Sequence, residues 1–139
     1  MSKFAVILSG SGVFDGTEIN EAVLTLLSLE ENGMQYQCFA PDIEQNHVIN
    51  HLNGDVVLGS RNVLEESARI VRGNVKPISE CDTAFFDGVI VIGGFGVAKN
   101  LSSFALKGRD FSMNSDVLSV CSGFKEQYKP AGYMCIAPV

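Results

Sequence analysis

Apolar residues in this chain alternate between short unbroken runs and stripes of helical period. Phe4, Ala5, Val6, Ile7 and Leu8 form one continuous run, as expected of a strand covered on both faces. Ser9-Gly10-Ser11-Gly12 ends it in a loop. Ile19, Ala22, Val23, Leu26 and Leu27 then recur at helical spacing, which predicts a helix with one apolar stripe. Asp15 and Glu18 read as a capping pair at its start, and Gly33 suits the left-handed position at its end. Residues 35–40 predict a second strand, stopped by Pro41-Asp42. This is a β-α-β unit, whose crossover is expected to be right-handed.

The pattern loosens between residues 43 and 62. Asn53-Gly54 marks a turn, and Val56-Val57-Leu58 reads as a small excursion strand. Residues 63–71 carry Leu64, Ala68 and Val71 on one face and predict a short helix ended by Gly73. Gly88-Val89-Ile90-Val91-Ile92 is the clearest strand, and it runs into Gly93-Gly94-Phe95-Gly96. A short helix is expected from Ala98, a longer one over 116–127, and a closing strand over 133–136. The sum is a doubly wound α/β fold: a flavodoxin-like, mostly parallel sheet of four strands with helices on both faces. A sheet that stops on a strand leaves one face uncovered, so residues 1–139 are expected to be the N-terminal portion of a single longer domain.

Composition narrows the function classes. At 139 residues, with 46% hydrophobic and 19% charged residues, the chain has the make-up of one ordinary globular domain. A net charge of −6 without a basic cluster argues against nucleic acid and anionic membranes as partners. Met1-Ser2-Lys3 leads straight into the first strand, and no apolar run is long enough to span a bilayer, so neither a secretory signal nor a membrane anchor is expected. Cys38, Cys81, Cys121 and Cys135 show no Cys-x-x-Cys spacing, which signals neither zinc nor a disulfide framework. A reducing, cytoplasmic compartment fits these thiols.

Three loops at strand C-termini, 9–17, 93–100 and 135 onward, share one crevice in a doubly wound sheet. Cys135 lies near the end of the closing strand there. If a helix follows it, the helix N-terminus favours the thiolate and makes the sulfur a nucleophile; the alternative is a small apolar core residue. Gly93-Gly94 leaves backbone N–H groups free to turn toward an oxyanion, or serves only a tight turn. Gly10-Ser11-Gly12-Val13-Phe14-Asp15, with Asp42 at the end of strand two, approaches a dinucleotide fingerprint. Asp15 stands where the third glycine belongs, and its charge would repel a pyrophosphate. No cofactor is therefore expected, neither nucleotide nor metal.

Several stretches together carry a resemblance: Val6-Ile7-Leu8-Ser9-Gly10, Asp15-Gly16-Thr17-Glu18-Ile19, Cys38-Phe39-Ala40-Pro41-Asp42 and Val48-Ile49-Asn50-His51-Leu52. Gly93-Gly94-Phe95-Gly96, Ala98-Lys99-Asn100-Leu101 and Met134-Cys135-Ile136-Ala137-Pro138 complete the set. Over its whole length the chain resembles the ElbB ("enhancing lycopene biosynthesis") branch of the ThiJ/PfpI superfamily, related to class I glutamine amidotransferases. The resemblance implies Cys135 as the nucleophile at a sharp elbow and Glu21 as the carboxylate on its sulfur. It also implies an oxyanion site from the amides of Gly93, Gly94 and Ile136. Many superfamily members carry Pro before the Gly-Gly, where this chain has Ile92. Helical periodicity alone points Glu21 the other way, about 200° from Ile19 and so toward solvent. His47 and His51 do not stand at the position of a catalytic partner and are assigned surface or structural roles.

The implied activity is a cofactor-independent glyoxalase acting on a small aldehyde such as glyoxal or methylglyoxal, with a homodimer as one assembly. Eukaryotic members of the family are mitochondrial. The alternative from a different class is a non-catalytic redox sensor or partner-binding protein that uses the same cysteine. Amidotransferase activity ranks third, since no glutamine pocket is marked.

Overall fold

The computed structural model describes all residues, Met1–Val139. Five strands form one parallel sheet in the order β3-β2-β1-β4-β5. They are β1 (Lys3–Ile7), β2 (Gln35–Ala40), β3 (Val75–Pro77), β4 (Gly88–Val91) and β5 (Ala131–Tyr133). The crossovers carry α1 (Ile19–Glu31), α2 (Val63–Ile70), a short α3 (Phe104–Lys107) and α4 (Ser115–Glu126). This is the flavodoxin-like α/β arrangement that the apolar runs predict.

Side chains alternate across the pleat, so each strand feeds two cores. Ala5, Ile7, Phe39, Val89 and Val91 pack with Val117, Val120 and Phe124 of α4 on one face. Val6, Leu8, Cys38 and Ala40 pack with Ala22 and Leu29 of α1 and Val63 of α2 on the other. Double coverage is the physical reason the inner strands read as unbroken apolar runs rather than alternating ones.

The sheet has a fifth strand that the apolar pattern does not announce. Val75-Lys76-Pro77 pairs with Cys38, Phe39 and Ala40 at the edge, where a three-residue segment ending in Pro gives up no inner ladder bond. Val56-Val57-Leu58 is not a strand of this sheet. Ile49 and Val56 make one antiparallel bridge around the Asn53-Gly54 turn, and Leu58 is fully exposed.

The closing strand also sits earlier than expected. It covers Ala131–Tyr133, and Met134 still donates its N–H to Val91 O at 3.1 Å. Cys135 then takes φ 56, which no strand accommodates. Where a short helix is expected from Ala98, Val97–Leu101 forms a single π-helical turn.

On α1 the buried line is Ala22 and Leu29, while Ile19, Val23 and Leu27 of the expected stripe are each more than two-fifths exposed. The helix is thus rolled relative to its own apolar stripe, and this turns Glu21 toward the sheet. Its N-cap is Glu18 alone, whose carboxylate accepts from Glu21 N at 2.7 Å. Asp15, expected to share the cap, is buried and accepts from Ile49 N at 2.7 Å instead. Gly33 follows at φ 68 as the left-handed helix stop.

Phe124 is fully buried between α4 and the sheet. Phe124→Ala should lower the unfolding free energy by about 3–5 kcal/mol in urea titrations, the usual cost of emptying such a site.

Candidate active site

Glycine at the end of β4 sets the geometry. Gly93 donates its N–H to Glu21 Oε2 at 3.0 Å, joining the loop after β4 to the first turn of α1. A β-carbon at Gly93 would lie 2.5 Å from Glu21 Oε2 and 2.6 Å from Cys135 Cβ. The carboxylate, the cysteine and the glycine therefore meet at one point, and only hydrogen fits on that α-carbon. Gly94, at φ 101, is pressed against Gly16 O and Glu18 N, so it too has no room for a side chain.

Cys135 begins a tight turn directly after β5, closed by Ala137 N donating to Met134 O at 2.9 Å. A left-handed φ on a residue with a β-carbon is backbone strain of the kind that collects at reacting sites. The turn lifts the thiol clear of the sheet: Cys135 is exposed, whereas Cys38 is buried and Cys81 and Cys121 are half-buried. Behind it, Met134 Sδ accepts from Thr25 Oγ1 of α1 at 3.6 Å.

The structure brings together Cys135, Glu21, Gly93 and Gly94, with Ile136 next in the turn. It changes the use of one amide. Gly93 N–H is already engaged by Glu21, which leaves the N–H groups of Gly94 and Ile136 without a partner inside the chain. Glu21 departs from the solvent-facing position that its helical angle predicts, because the roll of α1 places it on the crevice side.

A second group braces this loop. Val13 O accepts from Phe95 N at 2.8 Å, Gly16 O from Gly96 N at 2.9 Å, and Gly93 O from Glu18 N at 3.0 Å. His51 Nε2 accepts from Phe14 N at 3.1 Å while Nδ1 donates to Ile49 O, and the imidazole stacks on Phe14 with ring centroids 4.9 Å apart. That fixes the tautomer and gives His51 a structural role. Lys99 Nζ donates to Phe14 O at 2.8 Å and lies 5.5 Å above the Phe95 ring, where burial lowers its pKa. In the fingerprint-like loop both glycine amides are engaged within the chain: Gly10 N donates to Ser67 Oγ and Gly12 N to Thr17 O. No cluster of three His, Cys, Asp or Glu side chains is arranged to hold a metal ion.

Comparisons with known proteins agree with this architecture. No protein-family model matches the chain. It is 49% identical over 139 residues to human "glutamine amidotransferase-like class 1 domain-containing protein 3, mitochondrial", covering 99% of this chain and 52% of that one. The crystal structure of an isoprenoid biosynthesis protein with an amidotransferase-like domain from Ehrlichia chaffeensis superposes with a TM-score of 0.93 at 38% identity. That match covers 99% of this chain and 63% of the other. A DJ-1 superfamily protein from Salmonella typhimurium shares the fold at a TM-score of 0.60 and 21% identity, over 99% of this chain and 57% of its own.

An α/β sheet with a cysteine on a strained turn at its C-terminal edge is thus the class of protein at hand. More particularly, the fold is that of the class I glutamine amidotransferase-like, DJ-1/ThiJ/PfpI superfamily. The chain spans about half the length of the curated relatives it matches. Those relatives are named mitochondrial, and no helix here is long and apolar enough to cross a membrane.

The four thiols should separate cleanly. Burial raises Cys38 to about 12 and Cys81 to about 11, and it raises Cys121 despite a hydrogen bond with Tyr133. Iodoacetamide at neutral pH, read by mass spectrometry, should therefore modify Cys135 first and Cys38 last. Equal labelling of all four would contradict the geometry. The folded chain holds the Cys38 and Cys81 protons more tightly than the unfolded chain, whose thiols titrate near 9.0. Their contribution to stability is complete below that pH and should be lost progressively as pH rises toward 11 to 12, visible in urea midpoints.

Proposed function

We propose that this chain carries the reacting centre of an ElbB-like, cofactor-independent glyoxalase. Cys135 is its nucleophile, Glu21 moves the proton, and the Gly94 and Ile136 amides receive the oxyanion. The observation that supports this most is the meeting of Glu21 Oε2 and Cys135 Cβ at Gly93, with the cysteine held at φ 56. The substrate class is a small 2-oxoaldehyde, glyoxal being the simplest.

The Cys135 thiolate adds to one aldehyde carbon, forming a C–S bond and a hemithioacetal alkoxide that takes up a proton. Glu21 removes the C–H proton from that carbon to give an enediol and returns a proton to the neighbouring carbon. One carbon is oxidised and its neighbour reduced, so no external redox partner is needed. The resulting thioester of the 2-hydroxy acid is cleaved by water, releasing glycolate from glyoxal and regenerating the thiol. Amides at Gly94 and Ile136 would hold the negative oxygen that develops at addition and at hydrolysis. A reducing, cytoplasm-like compartment suits a free nucleophilic thiol.

Exposure of Cys135 favours a second reading, in which the protein is a non-catalytic redox sensor or partner-binding protein whose thiol is oxidised to a sulfenic or sulfinic acid. Turnover separates the two. In the whole protein, Cys135→Ser and Glu21→Gln should each remove most conversion of glyoxal to glycolate, by about 100-fold or more for a lost nucleophile or general base. Glu21→Gln keeps the side chain's size and an oxygen for Gly93 N–H, so it should melt within a few degrees of the parent. Background turnover in the unaltered protein, with peroxide still oxidising Cys135, would favour the sensor.

A further inference from the structure

Asn100 is 7% exposed, and both polar atoms of its side chain are engaged. Nδ2 donates to Ser9 O and to Asp15 O, each at 2.9 Å, while Oδ1 accepts from Asn46 N at 3.0 Å. One amide thus joins the segment after β1, the loop that precedes α1, and the segment after β2. It sits on the π-helical turn Val97–Leu101, a rare geometry that recurs at functional sites.

We propose that Asn100 is a positioning residue for the Cys135 centre; the inference rests on Cys135 and Glu21 being that centre. The route is continuous. Asn100 fixes the carbonyls of Ser9 and Asp15, and this loop holds Phe95 N, Gly96 N and Gly93 O through Val13 O, Gly16 O and Glu18 N. Gly93 N then meets Glu21 Oε2. The stack has no slack. A methyl group at Gly16 would lie 2.5 Å from Ser11 N and 2.7 Å from Gly10 C, and one at Gly96 would press on Ser9 Oγ and Gly16 Cα. A shift of the Asp15 carbonyl therefore moves Gly16, and through it the Gly93–Glu21 contact. The buried Asp15 carboxylate helps from the other side by accepting from Ile49 N.

The test uses the nitrogen-15-labelled chain. Asn100→Ala leaves two carbonyls without a donor, and Asn100→Asp places carboxylate oxygen against them. The control is Ile78→Val, a mild change in the α4-side core that touches none of the partners of the Asn100 amide. In either Asn100 variant, amide exchange at Gly93 and Gly96 should quicken about tenfold while β1 and β2 amides remain protected. Alkylation of Cys135 should change severalfold, and Ile78→Val should do neither. Unaltered Gly93 exchange in a folded Asn100 variant, or equal changes in the control, overturns the positioning role. The unaltered chain supplies an arm that needs no variant: the Asn100 side-chain amide and Gly93 N–H should exchange through the same opening. Rapid exchange at Gly93 with Asn100 still protected overturns the proposal. Glu21→Gln distinguishes the underlying reading, because Cys135 reactivity indifferent to that change sinks the centre itself.

Discussion

The contact between Gly93 N–H and Glu21 Oε2 is the constraint on which the site depends. It ties the end of an inner strand to the first turn of the first helix across 72 residues of sequence. A carboxylate drawn against the sheet edge needs such a donor, since an unpaired charge there carries a desolvation cost. The same glycine gives up its side chain so that Cys135 can approach from the neighbouring strand. One residue type thus satisfies a hydrogen bond, a close approach and a shared vertex.

Around that vertex the loops form a rigid frame. The loop after β1 lies on the loop after β4 through three backbone hydrogen bonds, and Asn100, Asp15 and His51 close its outer side. Each of these side chains is positioned by a partner far away in sequence, and none is free to reorganise alone. Preorganisation of this kind is what a centre needs if its amides are to meet a developing charge without moving.

The four cysteines illustrate how far environment divides one residue type. Cys38 faces the core beneath α1 and α2, Cys81 and Cys121 lie against the α4 side, and Cys135 stands on a strained turn in solvent. Burial penalises the thiolate at the first three. Lifting the fourth out of the sheet requires the backbone strain at φ 56.

By itself the amino-acid sequence determined the α/β class, both inner strand pairs, α1, α2 and α4, and the loops that carry Gly93 and Cys135. These signals are local: unbroken apolar runs mark strands buried on both faces, and glycine marks turns. Glu21 was named from motif resemblance rather than from spacing, whereas Cys135 stood out by its place at the C-terminal end of a strand as well as by the motif. Tertiary structure alone decided the rest. The edge strand Val75–Pro77 is too short and too polar to stand out, and it exists because β2 offers an unpaired edge. Cys135 leaves the strand because its turn demands a left-handed φ, which no pattern of apolar residues encodes. Glu21 faces the crevice because α1 is rolled by its packing on the sheet, leaving Ile19, Val23 and Leu27 outward. A helix's period reports which residues share a face; what that face meets is settled only by the neighbours packed against it.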